Sequence, residues 1–389
     1  MSLATICWGL AVWLASQIPP ASINPEQPGK KVPTPAAFQS VWSVSLASIE
    51  QPHLVAGPTN FFVVSKNAPL TARSLADGHE VWTSPLRSDL PPAASEDLVF
   101  VLQDDVLHAL EQSNGQERWA VRTGPLAIGP VRRTEWVFIA ASDGTIAGLR
   151  ALDGYRVWEQ KLGSPASAPP AIDGNRLFAP LADGRLVSMM ISTEGRVLWT
   201  STLASAGTEP MAADGRIFLG SAEGLLYSIS QEDGQRIWPT HALIRAKVSG
   251  HPLVDKTRVF IATLDNYALA LDTSSGAIIW RQALDARPSA QMIIDSDQLI
   301  VPLNSGDVSF FAVKTGSALA ALPGKLTAGN LLVPPLVTTG APGSPQLLRL
   351  TLGSDAVLTL VSFKRAVSPP KTTPGAVFLG KTPPGVSSR

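Results

Sequence analysis

The sequence contains a single cysteine, Cys7, and carries no net charge. One cysteine excludes an intrachain disulfide and a metal site built from several cysteines. The 31 Lys and Arg residues balance the 31 Asp and Glu residues, so no long-range field attracts the chain to nucleic acid or to anionic lipid. Only 16% of the residues are charged, and no glycine-rich phosphate-binding loop occurs. The chain therefore lacks the usual signals of nucleotide-binding and nucleic-acid-binding proteins.

Long apolar runs are also missing. Residues 4–18 are apolar, but fifteen residues fit the core of a signal peptide better than a bilayer-spanning helix. We therefore expect a signal-peptide-like segment at 1–18 and a protein that is periplasmic or otherwise envelope-associated, with an uncleaved anchor as the alternative. Cys7 is a poor lipid-attachment site because Ile6 is too large for the position before a lipidated cysteine. Membrane contact is expected only through this N-terminus, if it is uncleaved.

Two further segments lack apolar periodicity. Residues 19–38 contain six prolines and are predicted to be a linker. Residues 366–389 are also proline-rich and are predicted to form a disordered tail, in which Ala376–Leu379 is a short apolar stretch. Residues 39–365 remain as the folded domain.

Between these segments the chain is a repeat. The stretch Ala268–Trp280 alternates apolar residues, turns at Ser274–Gly276 and alternates again into Trp280, which predicts two short antiparallel strands. The spacing Gly-x-x-x-Trp recurs at Gly78 and Trp82, Gly115 and Trp119, Gly154 and Trp158, Gly195 and Trp199, Gly234 and Trp238, and Gly276 and Trp280. Counted from Trp42, successive tryptophans are 40, 37, 39, 41, 39 and 42 positions apart. A strand-built period near forty predicts a β-propeller in which each Trp packs between blades and each Gly has a positive φ.

Each unit divides into four strands, a to d. For the unit ending at Trp280 these are His251–Val254, Arg258–Ala262, Tyr267–Leu271 and the strand that begins at Ala277. The repeats begin with a single d strand at Trp42, which has no a, b or c strand before it. They end with an a, a b and a c strand that have no d strand after them. We therefore predict an all-β fold of eight four-stranded antiparallel blades, in which the N-terminal strand completes the last blade and closes the ring.

The unit, with Leu-x-Ala-Leu-Asp before Gly-x-x-x-Trp, resembles the repeat of pyrroloquinoline-quinone-type (PQQ-like) propellers over residues 41–362. WD40 and kelch arrays fit less well, because the sequence has no Trp-Asp dipeptide and no Gly-Gly pair. Within this superfamily the chain is similar to the propeller lipoproteins of the outer-membrane β-barrel assembly machinery. That resemblance implies a periplasmic scaffold that docks partner proteins through loops on one face, although the lipid-attachment motif of the family is missing.

The alternative is a quinone-dependent dehydrogenase or a binder of a small ligand in the central channel. Many such enzymes use an adjacent Cys-Cys pair, and no Glu, Asn and Asp set that would hold calcium is identifiable. The histidines are scattered over different blades without metal-ligand spacing, although two of them share one connector: His53, His79, His108, His241 and His251. We therefore expect no catalytic residue, no cofactor and no metal.

Charge differs between two classes of loop that lie on the same face of a propeller. The d–a connectors are mostly basic: Arg87, Arg122, Lys161, Arg245, Lys247, Arg287 and Lys325, against Glu50, Asp89, Glu209 and Asp285. The b–c turns are mostly acidic: Asp104, Asp105, Asp143, Asp183, Glu223, Asp265, Asp307 and Asp355, against Lys66 and Arg185. One interpretation is a polar docking face around the channel mouth; the other is that acids favour turns and pair with nearby bases.

The longest d–a connector, Pro239–Gly250, carries the candidate partner-docking residues Leu243, Ile244, Arg245 and Lys247. They combine an apolar pair with basic groups, as interface hot spots do. The alternative is that Leu243 and Ile244 pack beneath the blade and the charges are merely solvated. We predict an exported, monomeric, non-catalytic scaffold that binds a protein partner and no nucleic acid.

Overall fold

The computed structural model describes eleven ranges of the chain, all within 38–363, and these ranges contain strands, turns and extended segments but no helix. The ranges are 38–46, 51–192, 194–238, 242–288, 292–295, 297–305, 307–322, 330–331, 336–339, 345–352 and 356–363. The predicted signal-peptide-like segment 1–18, the linker up to residue 37 and the tail 366–389 lie outside them.

The described strands form seven four-stranded antiparallel sheets and a last sheet of five strands. Sheet 1 contains β2 (His53–Ala56), β3 (Asn60–Val64), β4 (Leu70–Ser74) and β5 (Glu80–Ser84); sheet 2 contains β6 (Ala93–Ala94), β7 (Leu98–Gln103), β8 (Val106–Glu111) and β9 (Glu117–Arg122); sheet 3 contains β10 (Val131–Arg133), β11 (Trp136–Ala140), β12 (Thr145–Arg150) and β13 (Arg156–Lys161); sheet 4 contains β14 (Ala171–Asp173), β15 (Arg176–Pro180), β16 (Arg185–Met190) and β17 (Val197–Thr202). Sheet 5 contains β18 (Met211–Ala213), β19 (Arg216–Gly220), β20 (Leu225–Ser230) and β21 (Ala242–Leu243); sheet 6 contains β22 (Val248–Val254), β23 (Arg258–Thr263), β24 (Tyr267–Asp272) and β25 (Ile278–Ala283); sheet 7 contains β26 (Ile293–Asp295), β27 (Gln298–Pro302), β28 (Val308–Ala312) and β29 (Ala318–Leu322); the last sheet contains β1 (Phe38–Leu46), β30 (Asn330–Leu331), β31 (Leu336–Thr339), β32 (Pro345–Leu352) and β33 (Ala356–Phe363).

Within each of the seven four-stranded sheets the strands pair in chain order, and the predicted strands of the unit ending at Trp280 are confirmed as β22 to β25. First strands of neighbouring sheets contact one another, for example β14 with β18 and β18 with β22. Second strands are buried on both faces, whereas a fourth strand such as β25 exposes most of its residues. The apolar core accordingly lies between adjacent sheets, and each sheet has an inner and an outer edge.

The last sheet combines the two ends of the described chain. Strand β1 pairs antiparallel with β33, with Trp42 opposite Leu360 and Leu46 opposite Ala356. Strand β33 in turn pairs with β32. The N-terminal strand therefore occupies the position that a fourth strand occupies in the other sheets.

The repeated Gly and Trp meet between units rather than within one. Gly276 has a φ of 75°, and a Cβ built on it would lie 2.9 Å from the Trp238 ring of the preceding sheet. The same joint is formed by Gly78 with Trp42, Gly115 with Trp82, Gly154 with Trp119, Gly195 with Trp158, Gly234 with Trp199 and Gly316 with Trp280. The predicted positive φ of the repeated glycines is confirmed, with values of 58° to 75°. Any side chain at these glycines would collide with the tryptophan.

The repeat tryptophans make two further kinds of contact, which Trp238 illustrates. Trp238 stacks obliquely on Phe218 of its own sheet at 5.8 Å, and its indole Nε1 donates a hydrogen bond to Thr273 O of the next sheet at 3.0 Å. A small residue of the third strand lies between the two rings; in sheet 6, for example, Ala270 is opposite both Phe260 and Trp280. The repeat tryptophans therefore join neighbouring sheets.

The turn after β24 is fixed by a carboxylate. Asp272 Oδ1 accepts hydrogen bonds from Ser274 N at 3.0 Å and Ser275 N at 2.9 Å, and also from both serine hydroxyl groups. Hydrogen bonds from the Ser274 hydroxyl, and next from the Ser275 hydroxyl, lower the pKa of Asp272 below its ordinary value. A group with a lowered folded-state pKa stabilises the fold above its unfolded-state pKa, and this contribution is lost as the pH falls through the folded-state value.

We therefore expect Asp272→Asn to destabilise the protein by no more than about 1 kcal/mol at pH 7, because the carboxylate is partly solvated. The difference from the wild type should shrink towards pH 3, where the wild-type carboxylate is also being protonated. Urea unfolding at pH 7 and pH 3 measures this. A difference that stays constant between the two pH values would show that the Asp272 charge contributes nothing to stability.

Candidate partner-docking face

One end of every four-stranded sheet carries both the b–c turn and the connector to the next sheet. Leu162 N donates to Gly144 O at 2.8 Å, and Leu203 N donates to Gly184 O at 2.7 Å. These bonds join the first connector residue to the b–c turn of the same sheet. We call this end the connector face, and we call the opposite end, which carries the a–b and c–d turns, the turn face.

After sheets 4, 5 and 6 the first residue of the connector is apolar and packs inward. Leu203 and Leu284 are 5% and 6% exposed, and Ile244 occupies the same position with 6% exposure. Ile244 N donates to Gly224 O at 2.9 Å, as Leu203 N does to Gly184 O, and its side chain lies in a core cluster with Val248. The hypothesis that Ile244 is an exposed docking anchor is therefore wrong, because this side chain closes the core between sheets 5 and 6.

The connector after sheet 5 is not unusually long. Leu243 pairs with Leu225 and belongs to the fourth strand β21, not to the connector. Ile244 follows Trp238 by six positions, whereas Leu203 follows Trp199 by four. The two extra residues therefore fall between Trp238 and Ile244, ahead of the connector, and positions 239–241 are outside the described ranges. The prediction that Pro239–Gly250 is the longest d–a connector is wrong, because Ala242–Leu243 belongs to β21 and β22 already begins at Val248.

Arg245 and Lys247 are the exposed part of this connector. The backbone is fixed at both residues: Arg245 N donates to Gly224 O at 3.1 Å, and Lys247 O accepts from Leu264 N at 3.0 Å. Arg245 has a left-handed φ of 68°. Within the described ranges neither side chain forms an ion pair. Two cations are thus presented to solvent from a rigid loop.

Three of the acidic b–c turns are paired with nearby bases. Asp183 lies 2.7 Å from Arg185, Asp265 lies 3.5 Å from Arg281, and Asp143 Oδ2 lies 3.9 Å from Lys161 Nζ. The hydrogen bond from Arg185 is the main cause of the lowered pKa of Asp183. The hydrogen bond from the Thr145 side chain is the main cause for Asp143. The charge separation seen in the sequence is therefore partly local pairing, and unpaired cations such as Arg245 and Lys247 dominate this part of the face.

A hollow of ≈ 360 Å³ opens on the connector face beside Lys247, at the start of the first strands. Its wall includes Glu209, and Glu209 Oε1 lies 3.3 Å from Nδ1 of His251. The remaining wall is formed mainly by small residues such as Ala168 and Gly207. This hollow is a mainly apolar recess with Glu209 and Lys247 in its wall.

The described histidines contact residues in separate parts of the molecule. His53 hydrogen-bonds Asp89 O at 2.9 Å, His79 pairs with Asp77, and His108 Nδ1 lies 2.7 Å from Glu117. His241 lies outside the described ranges. Among the described residues, no group of three or more His, Cys, Asp or Glu side chains is placed to hold a metal ion. The same part of the chain contains no helix long and apolar enough to cross a membrane.

Four-stranded antiparallel sheets with inner first strands, joined by a repeated Gly–Trp contact, define a β-propeller of the PQQ-like class. The chain belongs to the outer membrane protein assembly factor BamB family, whose model matches residues 66–206 and 190–329. The family resemblance drawn from the Leu-x-Ala-Leu-Asp and Gly-x-x-x-Trp motifs is thereby confirmed.

Individual proteins agree with this assignment. The chain is 25% identical over 290 residues to the outer membrane protein assembly factor BamB of Shewanella oneidensis, a match that covers 68% of this chain and 73% of the relative. The crystal structure of BamB from Moraxella catarrhalis superposes with a TM-score of 0.66 at 18% identity, covering 86% of this chain and 100% of that one. The crystal structure of quinohemoprotein alcohol dehydrogenase from Comamonas testosteroni superposes with a TM-score of 0.66 at 12% identity, covering 84% of this chain and 76% of that one. At these identities the two structures share only the fold.

Proposed function

We propose that this chain is an exported, non-catalytic scaffold that binds other proteins during the assembly of outer-membrane proteins. The family match over residues 66–329 is the observation that carries the proposal, because its family and its relative from Shewanella oneidensis are named as outer membrane protein assembly factors. The export signal at 1–18 and an envelope location belong to the same proposal. The quinone-dependent alternative has only fold likeness behind it, and fold alone does not transfer an activity.

The proposed scaffold is a monomeric, eight-bladed ring. The last sheet supplies the eighth blade, with β1 as its fourth strand, and β2 of sheet 1 contacts β31 of the last sheet. These contacts support a ring closed by the N-terminal strand. In this proposal residues 39–365 are the propeller, 19–38 a linker and 366–389 a tail, and any membrane contact is made through an uncleaved N-terminus.

The connector face is the proposed docking face, with Arg245 and Lys247 as its basic contact. Both side chains are exposed on a hydrogen-bonded loop, so little conformational freedom of the backbone is lost on binding. Arginine is enriched at interface hot spots. Leu243 and Ile244 act in this proposal only by holding the loop in place. The partner that fits is a protein with carboxylates on its contact surface.

The test removes the two cations and compares the result with an equal loss of charge on the turn face. We expect Arg245→Ala combined with Lys247→Ala to reduce capture of outer-membrane assembly components from envelope extract by about tenfold, since two charged interface contacts are lost. Lys256→Ala combined with Lys314→Ala is the matched control, because both lysines are exposed on the turn face. This control should capture as much as the wild type.

Circular dichroism must show that both double variants are folded. Equal capture by the two double variants would remove Arg245 and Lys247 from the docking site. Failure of the wild-type protein to capture any assembly component, together with quinone-dependent dye reduction that is lost on calcium removal, would contradict the scaffold function itself.

A further inference from the structure

The turn-face end of sheet 3 carries a row of aromatic and basic side chains. Across the four strands the row consists of Arg133, Trp136, Arg150 and Tyr155, because Arg133 and Arg150 are both opposite Trp136 and Arg150 N donates to Tyr155 O at 2.9 Å. Leu152 lies in the c–d turn at the same end. At the position of Trp136, sheets 4 and 5 have Arg176 and Arg216, which donate to backbone carbonyls of the next sheet. Sheet 3 thus has an aromatic residue where sheets 4 and 5 have an arginine bonded to the next sheet.

Leu152 and Tyr155 are more exposed than the fold requires. They are 64% and 63% exposed, more than any other large apolar side chain in the described ranges. The other described c–d turns carry small or polar residues at these two positions: Ala76 and His79, Ser113 and Gln116, Glu232 and Gln235, Ser274 and Ala277, and Lys314 and Ser317. Solvated Leu and Tyr side chains on a turn contribute no burial to folding, so their presence points to a contact outside the chain.

Tyr155 and Trp136 are held in place by their neighbours. The Arg150 guanidinium lies 5.4 Å from the centre of the Tyr155 ring, and Arg150 Nε donates to Asp153 Oδ1 at 2.8 Å. Tyr155 N also donates to Asp153 Oδ1, at 3.1 Å. Trp136 stacks on Phe138 with ring centres 6.0 Å apart. A surface fixed in this way loses little side-chain entropy when a partner binds.

The junction between sheets 3 and 4 departs from the other junctions at the same end. Six of the seven repeat tryptophans donate their indole NH to a backbone carbonyl of the adjoining sheet. The exception is Trp158, whose buried Nε1 has no hydrogen-bond partner among the described residues. The c–d turn of sheet 4 has one extra residue, because Ser188 is opposite Trp199, eleven positions on, whereas Gly148 is opposite Trp158, ten positions on. Among these seven junctions, only the one between sheets 3 and 4, which adjoins Tyr155, lacks the indole hydrogen bond.

The net charge at this end of sheet 3 is positive, because Arg132, Arg133 and Arg150 outnumber Glu135 and Asp153. Asp153 is paired with Arg150, and Glu135 accepts the Trp136 indole NH at 3.0 Å. Arg133 is exposed, and no ion pair is formed by its side chain within the described ranges. Among the described residues the buried Arg132 Nε has no hydrogen-bond partner. A carboxylate is therefore the group that complements this surface.

We propose that Arg133, Trp136, Arg150, Leu152 and Tyr155 form a second docking surface, the sheet 3 patch, which binds an extended acidic segment of a partner protein. An apolar side chain of that segment packs on Leu152 and Tyr155, and a flanking carboxylate pairs with Arg133. Arg and Tyr beside an exposed apolar group are the composition of interface anchors. The sheet 3 patch lies on the turn face, so it leaves the connector face free for a different partner.

The probe is a fluorescein-labelled peptide, Asp-Glu-Leu-Phe-Asp-Glu-Leu-Phe-Asp-Glu, with binding followed by fluorescence anisotropy. We expect the wild-type chain to bind it and Leu152→Ser combined with Tyr155→Ser to bind at least tenfold more weakly. Arg133→Glu should weaken binding at least fivefold and should favour the counterpart peptide with Lys in place of each acid. The matched control is Ile278→Ser combined with Ile279→Ser, which removes two apolar side chains that are 50% and 46% exposed on β25. The control should bind as the wild type does.

Each other outcome overturns the sheet 3 patch. Wild-type binding that is absent, or equal for the acidic and basic peptides, excludes an acidic partner. Loss in the Ile278 and Ile279 control as large as in the Leu152 and Tyr155 variant means that the peptide binds apolar surface without specificity. Binding to phosphatidylglycerol vesicles that depends on Tyr155, without peptide binding, identifies a lipid surface instead. The Arg245→Ala and Lys247→Ala double variant should bind the peptide normally, so failure of the connector-face proposal is distinguishable from failure of this one.

Discussion

Deleting residues 1–48 should lower the Tm by about 10 °C or more, whereas deleting residues 366–389 should leave it nearly unchanged. The first deletion removes β1, which pairs with β33 over its whole length from Phe38 to Leu46. It also removes Trp42, whose ring faces Gly78 of sheet 1 and whose indole donates to Leu75 O at 3.0 Å. Loss of a strand exposes a sheet edge and opens a junction between sheets, a combined cost of several kcal/mol.

Both truncated proteins are compared with the full chain by thermal melting and by size-exclusion chromatography. A truncation at residue 37 is the matched control, because it removes the segments before β1 but keeps the strand. This truncated protein should have the same Tm as the full chain. Equal Tm values for the 1–48 and 366–389 deletions would refute the assignment of β1 as the closing strand.

Replacing Trp238 by Ala should lower the free energy of unfolding by about 3–5 kcal/mol, the range found when a large buried aromatic side chain is removed. Trp238 is 1% exposed, stacks on Phe218 and fills the space over Gly276. Its removal leaves a cavity and takes the indole donor away from Thr273 O. Trp199→Ala should lower the free energy of unfolding by less, because Trp199 is only half-buried. Chemical denaturation measures the free energy of unfolding of both variants.

Hydrogen exchange locates the damage. Since each sheet contacts mainly its neighbours, Trp238→Ala should speed exchange in sheets 5 and 6 and leave sheets 1 to 3 protected. Trp238→Phe is the conservative control, which refills most of the cavity without restoring the hydrogen bond to Thr273 O. A loss below about 1 kcal/mol for Trp238→Ala would mean that the site is not packed as described.

The architecture was predictable because every unit repeats the same chemistry at nearly the same spacing. Gly276 and Trp280 could be placed on a turn and a fourth strand from their spacing alone. The partner of Trp280 was harder to identify, because the glycine that it contacts is Gly316 of the following unit. The supporting aromatic was a missed signal: a phenylalanine precedes Trp280 by 20 positions and Trp238 by the same number, at Phe260 and Phe218.

The docking residues were less predictable because loop length was counted from the wrong point. Ile244 looked like part of a long connector, but the two inserted residues precede it, and Ile244 keeps the inward position of Leu203 and Leu284. Aligning these three residues in the sequence would have separated Ile244 from the exposed Arg245. The sheet 3 patch was missed for another reason: the c–d turns were not aligned on their glycines, which places Leu152 and Tyr155 where the other described turns carry small or polar residues.

The offset between glycine and tryptophan has a consequence for the two boundaries of the last sheet. Trp42 of β1 contacts Gly78 of sheet 1, so the boundary between the last sheet and sheet 1 has the same glycine–tryptophan contact as the boundaries between the other sheets. Sheet 7 has Ala320 at the tryptophan position, opposite Phe310, as Trp280 is opposite Ala270 in sheet 6. Among the described residues, sheet 7 therefore offers no tryptophan contact towards the last sheet. The weakest seam is thus expected not where β1 joins the two ends of the chain, but at the preceding boundary.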